Sequence, residues 1–235
     1  MADRRKVTVT ALRRIPFFRE VPEEALAPIA AASSRQVLGH SDILWEPDDA
    51  IEAVFVLAAG VVRLYRHLDN GEEVTVALLD RGQVCGLVGL DAAFVPTTVA
   101  QALFDETVVY RIPRHPFIEF LRANPDLALH ALTAACQRVR DAYDLLALSD
   151  ARARVAYVLA HLTTASGERT VWATHEELAA WAHGRREALT GEVLPDLRGR
   201  GLIAYERHRR GIRVLDRAGL LALATGGCDH VRQRT

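Results

Sequence analysis

Arg185, Arg186 and Glu187 stand side by side in the stretch ELAAWAHGRREALTGEVL, with Thr190 one helical turn further on. These side chains can read base edges: a guanidinium forks onto guanine O6 and N7, and a carboxylate accepts from the cytosine amino group. Two other groups suit phosphate. Thr174 and His175 open the preceding segment, and Arg207, Arg209 and Arg210 crowd a short turn around His208. Arginine fits that work because its planar fork engages two phosphate oxygens at once. Enzyme chemistry has no comparable candidates, since no Ser/His/Asp set, phosphate loop or acid/base pair of glutamates stands out. His175-Glu176 could begin a zinc-binding helix, but Ala179 occupies the position where the second histidine belongs. His40, His67, His115, His130 and His161 are scattered among different elements. No catalytic and no metal site is therefore expected.

These residues need elements to present them. Thr174-His175-Glu176-Glu177 is a capping box, so a helix begins there. Leu178, Trp181 and Ala182 give that helix an apolar face, and Gly184 is expected to supply the positive φ that ends it. A second helix opens on Arg185 and Arg186 with Ala188, Leu189 and Val193 facing inward. Two short helices about a tight turn make a helix-turn-helix, whose second member presents its first residues to base edges. The following GLIAYERHRRGIRVLD reads as a strand from Leu202 to Glu206, a basic tip, and a strand from Ile212 to Leu215. A hairpin of that kind beside a helix-turn-helix is a wing.

Upstream the periodicity is different. From Ile43 to Ile112 short β-branched runs alternate with DNGEE, DRGQ and LFDE, and Asn70-Gly71 marks a hairpin. The spacing predicts a closed or sandwiched antiparallel sheet. FIEFLRA then makes a short helix that ends at Asn124-Pro125, because a residue before proline is pushed out of the helical region. From Asp126 a long helix carries Ala128, Leu132, Ala135, Val139, Ala142 and Leu146 at alternating spacings of four and three. That is an a/d seam lined by small residues, which suits a close helix pair between two subunits; the same seam could instead pack on the chain's own β domain. It stops near Ser149-Asp150, where ARARVAYVLAHL starts a new helix. The expected segments are a β domain with flanking helices over 1–125, a long helix over 126–149, a winged helix over 150–224 and a disordered tail over 225–235.

Composition agrees with a globular protein, half hydrophobic and a quarter charged. No apolar run approaches the roughly 18 residues of a membrane span, and the N-terminus lacks the apolar core of a signal peptide, so a cytoplasmic chain without membrane contact is expected. Cys85, Cys136 and Cys228 are odd in number and far apart, which predicts free, mostly buried thiols. Charge is uneven. Residues 1–149 carry 15 Lys and Arg against 20 Asp and Glu, net −5, while residues 150–235 carry 14 against 10, net +4. Only the second part can approach phosphate without repulsion.

Over about Phe17 to Leu223 the chain resembles the cAMP receptor protein and fumarate-nitrate regulator family of bacterial transcription factors. The resemblance rests on VFVLAAGVVRLYRHLDNGEEVTVALLDRGQVCGLVGL for a cyclic-nucleotide-binding-type β-roll, on ANPDLALHALTAACQRV for the dimer helix, and on THEELAAWAHGRREAL with LRGRGLI for the winged helix. It implies an α+β chain: an N-terminal antiparallel jelly-roll-like β-roll, a long dimerisation helix and a C-terminal winged helix-turn-helix. It further implies a homodimer on a two-fold symmetric double-stranded DNA site, a small-molecule effector in a pocket around Gly86, Leu87, Val88, Thr97 and Thr98, and RNA polymerase as a candidate partner. Three departures bear on the details. Members that bind cAMP hold its ribose with a Glu and its phosphate with an Arg; here Leu87 and Pro96 stand at those positions and only Thr97 remains of the polar set. Tight cAMP or cGMP binding is not expected. Arg186-Glu187 match the family's recognition helix, but Gly191 stands where another Arg is usual. Pro195 and one extra residue between Leu189 and Leu197 predict a short or kinked helix. A haem-sensing form of the fold exists, and an apolar pocket admits one, but no residue here marks an axial ligand; no cofactor is predicted. The competing assignment is a ligand-binding or haem-type sensor module with a degenerate winged helix, favoured by Gly191 and Pro195 and opposed by the basic wing.

Overall fold

The computed structural model describes residues 5–148, 150–166, 170–206 and 211–225. They gather into two compact units, one of residues 1–64 and 79–140 and one of residues 65–78 and 141–235. In chain order the strands up to residue 113 are β1 (Arg5–Lys6), β2 (Ser34–Leu38), β3 (Ile43–Trp45), β4 (Ala53–Ala59), β5 (Val62–His67), β6 (Glu73–Leu79), β7 (Val84–Cys85), β8 (Val99–Ala102) and β9 (Thr107–Pro113). They form a five-stranded sheet of order β1-β2-β9-β4-β7 and a four-stranded sheet of order β3-β8-β5-β6. The first of these is antiparallel throughout.

Helices α1 (Val9–Arg13), α2 (Glu23–Ala32) and α3 (Arg114–Ala123) supply the apolar cover of the larger sheet. Val54 and Val56 of β4 join Leu12, Phe18, Leu26, Ile29, Phe117 and Phe120 in one buried cluster. Each such side chain contributes about 1.5–3 kcal/mol by leaving water. Because alternate residues of a strand point to opposite faces, Phe55 lies on the other side, where its ring meets Trp45 at 5.7 Å. Both faces of β4 are covered, so the strand reads as a continuous apolar run. At the Asn70-Gly71 hairpin, Gly71 takes φ 83° and donates to the Leu68 carbonyl, and the Leu68 amide donates to the Glu72 carbonyl. Helix α4 (Pro125–Ala147) follows α3 after the expected break at Asn124.

The second unit centres on α5 (Ala151–Ser166), which buries Val155, Ala156, Val158, Leu159, Ala160 and Leu162. Strand β10 (Thr170–Trp172), helices α6 (His175–Trp181), α7 (Arg186–Ala188) and α8 (Leu194–Gly199), strands β11 (Ile203–Tyr205) and β12 (Gly211–Val214), and helix α9 (Arg217–Thr225) complete it. The strands form an antiparallel sheet of order β10-β12-β11, and α9 packs on α5. The Arg154 guanidinium donates to the carbonyls of Ala182 at 2.8 Å, Leu148 at 2.7 Å and His183 at 3.1 Å. One side chain thus ties the start of α5 to the turn after α6. No helix among the described residues is long and apolar enough to cross a membrane.

The cysteine expectation needs one correction. Cys85 is buried, and burial pushes its thiol up to about 12 against a smaller opposing pull from Arg138. Cys136, however, is exposed, because it lies on the face of α4 turned away from the residues that bury Leu127 and Ala131. Cys228 lies outside the described residues, as do Ser149 and the expected tail from residue 226 onward.

A candidate nucleic-acid interface

The start of α6 is built as its sequence requires. The Glu177 amide donates to Thr174 Oγ1 at 3.1 Å, and the Thr174 amide donates to Glu177 Oε2 at 2.7 Å. This leaves His175 and Glu176 exposed at the helix entry, while Leu178, Trp181 and Ala182 are buried beneath. The turn that follows differs from expectation. Positive φ falls on His183, at 50°, and not on Gly184. The cause is tertiary: the His183 carbonyl accepts from Arg154, and its ring Nε2 lies 2.9 Å from the Thr75 carbonyl. Histidine is among the residues that tolerate the left-handed region, and two contacts hold it there.

Beyond the turn, Arg185, Arg186 and Glu187 are all exposed. Arg185 has no side-chain partner among the described residues. Arg186 Nη1 lies 3.1 Å from Glu176 Oε1 across the two helices. Thr190 is half-buried and its hydroxyl faces the carbonyls of Arg186 at 2.9 Å and Glu187 at 3.3 Å, so its hydrogen is engaged within the helix.

The short or kinked helix expected here takes the form of a helix interrupted by a π turn. Residues 186–199 run on as α7, a π turn over Leu189–Val193, and α8. The Leu194 amide donates to the Leu189 carbonyl, five residues back. An extra residue in a helix is absorbed by such a turn. The wider turn also accommodates Pro195, which has no N–H and whose ring would crowd the carbonyl four residues earlier in a regular helix. Leu189, Val193, Leu194 and Leu197 keep their inward faces, and Gly191 stands exposed with nothing within 4 Å of where a Cβ would be.

A groove of about 420 Å³ runs between these parts, lined by Thr174, His175, Glu176, Arg186, Tyr205 and Ile212 among others. The structure therefore brings Thr174, His175 and Arg186 to one surface with the two wing strands. Tyr205 was not signalled by the sequence; an aromatic residue at an outward position of β11, just before the basic turn, is the trace that marks it. Burial raises its hydroxyl pKa, with Arg198 acting the other way from 5.6 Å over the ring. Arg207, Arg209 and Arg210 lie outside the described residues.

Along α4 the large exposed apolar side chains are Leu129, Leu132, Val139, Tyr143 and Leu146. Leu132, Val139 and Leu146 belong to the expected seam, whereas Ala128, Ala135 and Ala142 are half-buried. The exposed stripe is thus shifted by one residue at alternate positions, with Cys136 inside it. In the first unit, Gly86 is buried at φ 79°, and a Cβ there would come within 2.9 Å of the Ala53 carbonyl. Leu87 packs against the apolar cluster under the larger sheet. Val88 and Thr97 are exposed, Thr98 is half-buried and Pro96 is buried.

Residues 35–124 match the model of the cyclic nucleotide-binding domain, and residues 153–223 match the Crp-like helix-turn-helix domain. The chain is 28% identical over 191 residues to the cyclic AMP receptor protein of Thermus thermophilus, covering 80% of this chain and 88% of that one. It is 27% identical over 201 residues to the transcriptional activator protein FnrA of Stutzerimonas stutzeri, covering 82% and 81%. Among solved structures, a CRP/FNR-family transcriptional regulator of Thermus thermophilus aligns with TM-score 0.62 at 26% identity, over 81% of this chain and 97% of that one. FixK2 from Bradyrhizobium japonicum shares the fold, with TM-score 0.66 at 20% identity over 81% and 96%. With the two domain models matched in this order around a long helix, the chain belongs to the cAMP receptor protein and fumarate-nitrate regulator family of DNA-binding transcription regulators.

Proposed function

We propose that the chain acts as a cytoplasmic homodimer that binds a two-fold symmetric DNA site and whose DNA affinity is set by a small molecule held in the first unit. The observation that carries the DNA part is the groove in which the capped start of α6, Arg186 of the recognition helix and the wing strands share one surface. Arg185, Arg186 and Glu187 read base edges; His175 and the wing arginines contact phosphate. Glu176 holds Arg186 in the free protein and yields it to DNA. The stripe of Leu129, Leu132, Val139, Tyr143 and Leu146 supports dimerisation, since a row of exposed large apolar residues on one helix face is costly in water. Pairing through α4 presents two recognition helices, which must reach successive major grooves about 34 Å apart. An effector biases that presentation only by binding one arrangement more tightly than another.

Cyclic AMP does not fit the residues present. Leu87 is committed to the apolar cluster, Pro96 is buried, and neither can compensate a phosphate taken out of water. We therefore place a different effector in this protein.

Electrophoretic shifts with genomic fragments at two salt concentrations test the DNA assignment. Binding should weaken steeply with salt, because phosphate contacts release counterions, and Arg186→Ala should weaken it at both. The absence of any shifted band at low salt, from protein shown to be folded, would sink the proposal and favour a degenerate winged helix.

A further inference from the structure

The first unit contains a cavity of about 240 Å³ whose walls include Trp45, Asp49, Ile51, Glu52, Phe55 and Arg111. None of these belongs to the segment where the family's nucleotide cassette is expected. Two of the residues in its wall carry hydrogen-bond donors that lack partners among the described residues. Trp45 is 5% exposed, and its indole Nε1 is buried with no acceptor among the described residues. Buried indole N–H groups ordinarily find one. The Arg111 guanidinium, half-buried, has no hydrogen bond or ion pair with any described residue. Register explains why these meet: Arg111 of β9 pairs with Phe55 of β4, so both side chains leave the same face of the sheet, and Phe55 lies against Trp45.

The remaining polar groups narrow the ligand. Asp49 and Glu52 are exposed carboxylates in the same wall, and Asp49 is oriented by the Glu46 amide at 2.7 Å. A bare carboxylate would gain one cation and face two anions; a bare amine would leave Arg111 and the indole unmatched. The volume lies below the range of about 300–1,000 Å³ that receives drug-sized molecules, which argues for a compact ligand over a nucleotide.

We propose that this cavity binds an α-amino acid with an apolar side chain. Its carboxylate accepts from Arg111 and from the Trp45 N–H, its ammonium faces Asp49 and Glu52, and its side chain lies on Phe55 and Ile51. As a binding site it stands alone; as the effector site it rests on the regulatory function proposed above.

Calorimetric titration of the full chain, without DNA, tests it with four probes: L-phenylalanine, L-leucine, 3-phenylpropanoate and phenethylamine. At least one amino acid should bind, and each half-molecule should bind about tenfold more weakly or not at all, as expected for loss of one charge-assisted contact. Arg111→Gln should weaken amino-acid binding about tenfold for the same reason. Trp45→Phe should also weaken it, yet raise the melting temperature of the ligand-free chain, because it removes a buried donor without an acceptor. No heat from either amino acid at millimolar concentration, or wild-type affinity in both variants, overturns the proposal. Such a failure leaves the DNA assignment untouched, since gel shifts decide that separately.

Discussion

Replacing Arg154 by methionine keeps most of the side chain's length and apolar stem while removing its guanidinium. Three carbonyl oxygens then lose a charged donor: Leu148 at the end of the α4 segment, and Ala182 and His183 in the turn of the helix-turn-helix. A hydrogen bond to a charged group contributes about 1.5–3 kcal/mol, so three would total about 4.5–9 kcal/mol if fully buried. The site is only half-buried, and water can reach part of what is vacated. We therefore expect a loss of about 2–4 kcal/mol, a large share of the roughly 5–15 kcal/mol that holds a domain folded. Arg154→Lys should recover less than half, since an ammonium is a point charge without the fork that spans three acceptors. Urea unfolding followed by tryptophan fluorescence reports on this, because Trp172 and Trp181 both belong to the second unit. The midpoint should fall with an unchanged slope. A loss below about 1 kcal/mol, or full rescue by lysine, would refute the view that this guanidinium fixes the turn.

Other consequences can be checked directly. Leu132→Asp places a charge in the centre of the exposed stripe of α4 and should convert a dimer to monomers in sedimentation equilibrium while leaving the circular dichroism spectrum intact. Maleimide should label Cys136 in that variant quickly, label it slowly in the wild-type dimer, and leave Cys85 unmodified in both, as mass spectrometry of tryptic peptides would show. Cys85 also gives a pH signature: its folded pKa of about 12 exceeds the ordinary 9.0, so the folded state keeps a proton that the unfolded chain releases. Stability from this group is complete below about pH 9 and is lost as pH rises toward 12; Cys85→Ala should flatten that decline in chemical unfolding curves. Gly191→Arg should cost no stability, since the site is open and leaving glycine in a helix gains up to about 1 kcal/mol. Anisotropy titrations should show it binding DNA more tightly; unfolding of the variant would mean that the π turn needs glycine.

How much could be read in advance follows from the range of each interaction. The capping box was legible because its bonds join residues three apart, Thr174 and Glu177. The break before Pro125 was legible for the same reason, as proline constrains its immediate neighbour. Pro195 and the extra residue signal an irregular helix but not its form, because the rule that proline interrupts a helix assumes the regular hydrogen-bond ladder. A π turn changes that ladder, and it forms here because Leu189, Val193, Leu194 and Leu197 all reach the core when one additional residue is taken up. Of the six expected seam residues of α4, Leu132, Val139 and Leu146 lie in the exposed stripe and Ala128, Ala135 and Ala142 are half-buried. The alternate positions shifted because burial of Leu127, Ala131 and Leu145 sets the helix rotation, which is a tertiary fact.

The turn after α6 shows where sequence reasoning ends. Gly184 is the residue that local conformational preference selects for positive φ, and it would be the natural choice if only the two helices mattered. His183 takes that conformation because Arg154, 29 residues away, and Thr75, 108 residues away, both hold it. The cost of placing a non-glycine residue there falls in the range of about 1–3 kcal/mol and must be met by those distant contacts. Any change that releases Thr75 or Arg154 therefore frees the turn from which the recognition helix projects. Residues far from the proposed DNA surface thus gain influence over it, whereas the arginines proposed to touch DNA can be read from composition and position alone.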